Sequence, residues 1–184
     1  MRHRTGWIGG IVLLVACAGE ATTATRVRTS DAALADRRAG ESVERDLATL
    51  RRVTARFHDF GAAKAAGWST MITACMDSAT GGMGFHFGND TLIDGAVAVD
   101  KPELLLYEPE AHGRKRLVAV EYIVPLTAWH KADPPRLFGR DFQVNAMFQV
   151  WALHAWVWKD NPDGVFANWN PRVNCAHTTD LFTM

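Results

Sequence analysis

The chain has 184 residues and a formal net charge of zero, with 20 basic and 20 acidic side chains. Such a balance lacks the basic surface that nucleic-acid binding requires, and it provides no strong attraction to anionic lipid headgroups. The composition therefore argues against nucleic acid as a partner. The length fits one domain of ordinary size plus a short targeting segment.

Residues 1–16 have the pattern of a signal peptide. A basic start containing Arg2 and Arg4 precedes an apolar run from Trp7 to Ala16. The run is shorter than the roughly 20 apolar residues of a membrane-spanning helix, and this order of segments is typical of a secretory signal. Its removal would leave 18 basic against 20 acidic side chains. We therefore expect an exported protein.

The end of this signal, Leu14-Val15-Ala16-Cys17, resembles the lipobox of bacterial lipoproteins. The resemblance implies that Cys17 carries a lipid, becomes the first mature residue and anchors the protein to a membrane. In a Gram-negative cell, Ala18 in place of Asp further implies the outer membrane, on its periplasmic or surface side. The alternative is an ordinary signal peptide with Cys17 unmodified, which would still place the protein outside the cytoplasm.

Residues 17–40 are predicted to be a lipidated, flexible tether, and residues 41–184 to be a single globular domain. The tether is rich in small and polar residues and nearly lacks large apolar ones, so it cannot bury enough surface to order itself. From Ser42 to about Ala66, apolar residues recur at three- and four-residue steps, which predicts an amphipathic helix. Gly61 would end or bend this helix, and Gly67 is the better terminator.

Two apolar segments predict a β-hairpin. Glu103–Glu108 and Arg116–Val124 have strand length and are separated by a turn around His112–Lys115. A third segment, Met147–Trp158, is either a strand or a buried helix, and we favour the strand. A helix followed by several strands and long loops predicts an α+β domain, with the N-terminal amphipathic helix packed on an antiparallel sheet.

The cysteine count predicts one disulfide bond. If Cys17 carries a lipid, Cys75 and Cys175 remain, and two cysteines in an oxidising compartment usually pair. The alternatives are two buried free thiols or two thiolate ligands of a metal.

Three polar residues in apolar surroundings form a candidate metal site. His86 lies between two phenylalanines in a glycine-rich segment, His154 lies within the tryptophan-rich third segment, and Glu121 interrupts an apolar strand. A buried carboxylate or imidazole needs a partner. Two histidines and one carboxylate suit a single zinc, iron, copper or manganese ion, and they leave a coordination position open for water or substrate.

Two alternatives to this site remain open. Glu121 and His154 could form a hydrogen-bonded pair without metal while His86 lies elsewhere, or all three could have unrelated roles. If a metal is bound, His58 or His177 could supply a fourth ligand. Whether such a site is catalytic does not follow from these residues.

The aromatic content predicts a second kind of site. Four of the 7 tryptophans lie between Trp151 and Trp169, and tryptophan lines ligand pockets as well as cores. A pocket formed by Tyr122, Trp156 and Trp169 would make the protein a non-catalytic module that binds a small molecule or haem. A purely structural envelope protein is the third hypothesis.

Overall fold

The computed structural model describes the backbone of residues 20–178 and the side chains from Asp31 onward. The predicted signal peptide and the lipidation site Cys17 lie outside these residues. The chain divides into two units, Met1–Ala39 and Gly40–Met184. Within residues 20–178, no helix is both long and apolar enough to cross a membrane.

The first helix, α1, spans Glu20–Thr54, so it begins well before the predicted start at Ser42. The described part of the predicted tether is therefore helical and not irregular. Its six alanine and four arginine residues favour a helix without any burial, and residues 31–42 are all exposed. A low content of large apolar residues was a sound reason to expect no packing, but it does not prevent local helix formation.

The single helix predicted to reach Ala66 is interrupted and forms three helical pieces. Helix α1 gives way to a 3₁₀ helix at Ala55–His58, and after a break at Asp59 the chain forms helix α2, Phe60–Ala65. The Asp59 side chain caps α2 by accepting a hydrogen bond of 2.8 Å from the backbone N–H of Gly61. The terminator is Gly67, as predicted, with a φ of 109°.

The strands of the described region form an antiparallel sheet of six strands and a separate pair. Their bounds are β1 (Thr70–Ser78), β2 (Gly81–Gly88), β3 (Leu104–Pro109), β4 (Lys115–Pro125), β5 (Arg136–Leu137), β6 (Arg140–Asp141), β7 (Gln143–Asn145) and β8 (Val150–Ala155). The large sheet has the order β1-β2-β3-β4-β8-β7, and β5 pairs with β6. The predicted α+β class, the β3–β4 hairpin and the strand within the third segment are confirmed, whereas β1 and β2 were not predicted.

The large sheet has two apolar faces. One, which we call the helix face, packs against Leu47, Leu50 and Phe57 of the helical segment. Its buried side chains alternate along the strands with those of the other face, which we call the cavity face. The helix face carries Phe85, Phe87, Leu105, Tyr107, Leu117, Val120, Tyr122, Val124, Leu153 and Ala155. The cavity face carries Leu104, Leu106, Val118, Ala119, Ile123 and Trp156.

The C-terminal segment is held to the sheet by a backbone bridge between Gly82 and Asn170 and by links through side chains. The predicted disulfide between Cys75 and Cys175 is confirmed, with the two Cα atoms 5.8 Å apart. The buried carboxylate of Glu108 pairs with Lys159 at 2.5 Å and accepts a hydrogen bond of 3.2 Å from the backbone N–H of Asn174. The disulfide thus connects Cys175 to β1, and the Glu108 contacts connect Lys159 and Asn174 to β3.

Candidate metal centre

The three predicted ligands come from three strands and lie on the same face of the sheet. Glu121 on β4 is directly opposite His154 on β8. His86 lies on β2, one strand beyond β3, where it pairs with Leu106, while Glu121 pairs with Leu104. Their neighbours in sequence point to the helix face, so the alternation along each strand places all three on the cavity face.

Two glycines allow the backbone of β2 to lie close to β3 and to the C-terminal segment. Gly84 has a φ of 82°, and a Cβ atom there would lie 2.4 Å from the carbonyl oxygen of Tyr107. At Gly82, a Cβ atom would lie 2.8 Å from the carbonyl oxygen of Val173. A side chain at either position would force the backbones apart. The glycine-rich sequence before His86 thus lets β2 pack closely against β3 and against the C-terminal segment.

The side chains of the trio converge, but their atoms are farther apart than hydrogen-bonded atoms. His86 Nε2 is 3.5 Å from Glu121 Oε2, and His154 Nε2 is 3.6 Å from Glu121 Oε1. One ligand atom from each residue lies within 4.8 Å of the other two. Hydrogen bonds between such groups are about 2.7–3.2 Å long. The predicted metal-free His154–Glu121 pair therefore lacks a normal hydrogen bond, and His86 is beside the pair instead of elsewhere.

The spacing fits a tetrahedral ion better than it fits direct contact. With metal–ligand bonds of about 2.0–2.2 Å, two ligands of a tetrahedral ion are about 3.3–3.6 Å apart. Both carboxylate–imidazole distances are at the upper end of this range. The two imidazoles would need only a modest approach toward each other to complete the arrangement.

Burial makes charge on these three groups unfavourable. His86, Glu121 and His154 are 3%, 6% and 4% exposed. Loss of hydration raises the pKa of Glu121 to about 8 and lowers the pKa of His154 to about 4. It also lowers the pKa of His86 to about 3, with a further contribution from the nearby His154. At neutral pH the trio therefore offers two uncharged imidazoles, which is the form that binds a metal.

The two histidines differ in their remaining contacts. His86 Nδ1 lies 2.7 Å from the Thr73 hydroxyl, and this contact leaves Nε2 directed at Glu121. When Nδ1 donates its proton to Thr73, Nε2 carries the lone pair that a metal needs. Both ring nitrogens of His154 lack a hydrogen-bond partner. Asn168 lies close enough to oppose the lowering of the His154 pKa, but not in normal hydrogen-bond geometry.

The trio borders a cavity of about 490 Å³. Besides the three ligands, the cavity is lined by polar side chains that include Thr73, Gln143 and Asn168. The rest of the wall is mostly apolar and includes Ile72, Met76, Met83, Ile93, Leu104, Ile123, Val150 and Ala152. A ligand bound there would contact both the trio and an apolar surface.

The predicted aromatic pocket does not form as one site. Trp169 lines the cavity, but Tyr122 lies on the helix face, where its hydroxyl donates a hydrogen bond of 2.7 Å to the carbonyl oxygen of Val99. Trp156 is buried on the cavity face, and its indole N–H donates to the carbonyl oxygen of Ala167 at 2.6 Å. Tyr122 follows Glu121 on β4, and adjacent positions of a strand point to opposite faces. Because Glu121 points to the cavity face, Tyr122 points away from Trp156 and Trp169.

Neither suggested fourth ligand belongs to the cluster. His58 is exposed and lies edge-on to Trp158, with ring centroids 4.4 Å apart. His177 is exposed near the C-terminus. The cluster of ligand atoms consists of His86, Glu121 and His154.

The sequence-based prediction missed Thr73. Thr73 is the partner of His86 across the β1–β2 hairpin, so recognition of that hairpin would have identified it. Asn168, a polar neighbour of Trp169 that the sequence offers for a pocket rim, does line the cavity.

Comparisons with known protein families, curated proteins and solved structures find no match for this chain. The geometry of the trio and its cavity therefore carries the functional interpretation.

Proposed function

We propose that this protein is an extracytoplasmic, lipid-anchored metal-binding protein that holds one transition-metal ion with His86, Glu121 and His154. The observation that carries the proposal is the spacing of the trio. A buried carboxylate faces two buried imidazoles at 3.5 and 3.6 Å, too far for hydrogen bonds and suitable for ligands of a shared ion.

The energetics of burial support the same conclusion. An unpartnered polar group in the interior costs about 1–3 kcal/mol, and both ring nitrogens of His154 are in this situation. A divalent cation would provide His154 with a bond and would favour the ionised form of Glu121. One ion would thus provide a partner for His154 Nε2, the nitrogen that faces Glu121, and would stabilise the ionised Glu121 carboxylate.

Three protein ligands leave one or more coordination positions for water or substrate, and these would face the cavity. A bound ion would supply Lewis-acid chemistry, and iron or copper would also supply oxygen chemistry. Zinc, iron and copper all accept imidazole and carboxylate ligands. Thr73 would orient the His86 ring, and the apolar wall would limit access of water to the site.

Two further features support the proposed location. The Cys75–Cys175 disulfide is compatible with an oxidising compartment outside the cytoplasm. The lipobox-like sequence ending at Cys17 supports anchoring by a lipid. We expect a labelled fatty acid to be incorporated into the wild type and not into Cys17→Ser, measured by metabolic labelling and immunoprecipitation. Equal labelling of the two proteins would contradict the lipid on Cys17.

The decisive experiment is elemental analysis of protein purified without a histidine tag. We expect about one metal ion per chain in the wild type, and little metal in His154→Ala and Glu121→Gln. The matched control is His58→Ala, because His58 is a histidine outside the cluster. Circular dichroism would establish that each variant is folded. Substoichiometric metal in the wild type, or metal content unchanged by His154→Ala, would overturn the proposal.

A further inference from the structure

The mouth of the cavity is unusually apolar for a protein surface. Among the side chains described from Asp31 to residue 178, the exposed large hydrophobic ones are Leu34, Met71, Ile72, Val144, Met147 and Phe148. Four of these six line the cavity. Met147 is 82% exposed, and Val144 is 52% exposed. Apolar side chains concentrated around one opening mark a binding site for an apolar molecule.

The charge of the cavity restricts the ligand further. Its lining contains no lysine or arginine, and its acidic residue is Glu121. Without a cation, the cavity therefore offers no positive charge to an anion. A divalent ion bound by two neutral imidazoles and one carboxylate would leave a net charge of +1 in this buried place. An uncompensated charge there is costly, and one negative group at the open coordination position would neutralise it.

From the apolar mouth and this charge balance, we infer that the cavity binds an apolar carboxylic acid. The carboxylate completes the coordination of the metal, and the hydrocarbon part lies along Ile123, Val150 and the exposed rim. This inference rests on the proposed metal site. Asn168 and Gln143 both line the cavity, with Asn168 Nδ2 3.4 Å from Gln143 Oε1. They offer polar atoms near the carboxylate end.

The test compares decanoate with decanol, which has the same chain length and no charge. The protein is the mature chain, residues 18–184, exported behind an ordinary cleavable signal peptide so that it carries no lipid and needs no detergent. It is used zinc-loaded and after removal of zinc with a chelator. Metal content is measured on the same samples. Isothermal titration calorimetry should show decanoate binding to the zinc-loaded protein at least about tenfold more tightly than decanol, with the preference lost on zinc removal.

Each result separates this inference from the proposed metal site. Zinc bound at one ion per chain without a preference for decanoate would overturn the inference and leave the metal site standing. Decanoate binding that is equally tight with and without zinc would overturn the role of the metal in recognition. Failure to bind either zinc or decanoate would overturn both.

A pair of variants locates the binding site. Phe148→Ser changes a rim residue that is 42% exposed, and Leu34→Ser changes a residue of similar exposure, 47%, that does not line the cavity. We expect Phe148→Ser to weaken decanoate binding about three- to tenfold, because apolar contact is lost. Leu34→Ser should leave the affinity unchanged. Equal effects of the two substitutions would overturn the assignment of the hydrocarbon to this cavity.

Discussion

The two faces of the large sheet are both apolar, but they differ in whether their buried polar groups have hydrogen-bond partners. On the helix face, the Tyr107 hydroxyl donates to the carbonyl oxygen of Phe57 at 2.6 Å, and the Tyr122 hydroxyl donates to that of Val99. On the cavity face, both ring nitrogens of His154 are buried without a hydrogen-bond partner. The helix-face hydroxyls are thus satisfied within the protein, whereas the His154 ring on the cavity face is not.

The difference shows how one sheet can serve stability and binding together. The helix face belongs to the larger of the two buried hydrophobic clusters, so its burial supplies most of the hydrophobic free energy of folding. That stability allows the cavity face to keep unsatisfied groups, each of which costs about 1–3 kcal/mol. We therefore expect substitutions on the helix face to affect mainly the free energy of unfolding, and substitutions around the trio to affect mainly ligand binding.

The largest expected effect on stability comes from Leu50→Ala. Leu50 is fully buried in the helix-face cluster, so its truncation should lower the free energy of unfolding by about 3–5 kcal/mol through lost burial and a residual cavity. Urea denaturation measures this change. The metal content of the folded fraction should not change. Val144→Ala at the cavity mouth is the control and should change stability by less than about 0.5 kcal/mol. Equal losses in the two variants would contradict the division between the faces.

Two buried carboxyls make a second comparison. Burial raises the pKa of Glu103 to about 8, as it does for Glu121, but Glu103 accepts a hydrogen bond of 3.1 Å from the backbone N–H of Ile123. The folded protein keeps the Glu103 proton up to about pH 8, whereas the unfolded chain releases it near the ordinary glutamate pKa of 4.5. The contribution of Glu103 to stability therefore falls as the pH rises between these values.

Substitution Glu103→Gln tests this difference, because an amide keeps an acceptor for Ile123 and removes the titration. Between pH 5 and pH 8, the wild type should lose about 2–4 kcal/mol of unfolding free energy relative to the variant. Urea denaturation of metal-free protein at both pH values measures the loss. Metal binding should persist in Glu103→Gln and be lost in Glu121→Gln. A pH profile identical to that of the wild type would show that Glu103 titrates normally.

The smallest expected effect follows from Thr73→Val, which keeps the shape of the side chain and removes its contact with His86. Hydrogen-bond partners of metal-binding histidines contribute about 10- to 100-fold in affinity, or about 1.4–2.7 kcal/mol. Competition with a chelator measures this loss. Thr73→Ser retains the hydroxyl and should restore most of the affinity. If serine and valine weaken binding equally, the hydroxyl does not orient His86.

The fold could be predicted wherever local patterns coincide with tertiary packing. The β3–β4 hairpin has two runs of strand length with a turn between them, and Leu47, Leu50 and Phe57 form the stripe that the helix buries. The helix ends were less predictable. Residues 31–42 are helical without burying any side chain, and the break at Asp59 depends on a capping contact within an otherwise periodic segment.

The hairpin of β1 and β2 had no such signal. Its second strand begins Gly81-Gly82-Met83-Gly84, a composition that normally weakens strands. The strand forms because Gly82 and Gly84 allow contacts with Val173 and Tyr107 that any side chain would block. Contacts between residues so distant in sequence leave no periodic pattern.

The amino-acid sequence alone was sufficient to select His86, Glu121 and His154 as residues that need partners, because each is a polar residue among apolar ones. With Cys17 assigned to a lipid, the cysteine count also favoured a disulfide between Cys75 and Cys175. Only the tertiary structure could show that both imidazoles lie 3.5–3.6 Å from the Glu121 carboxylate on one face and that Tyr122 lies on the other. The reason is physical: strand register and order determine which distant residues are neighbours, and both depend on packing of the whole sheet.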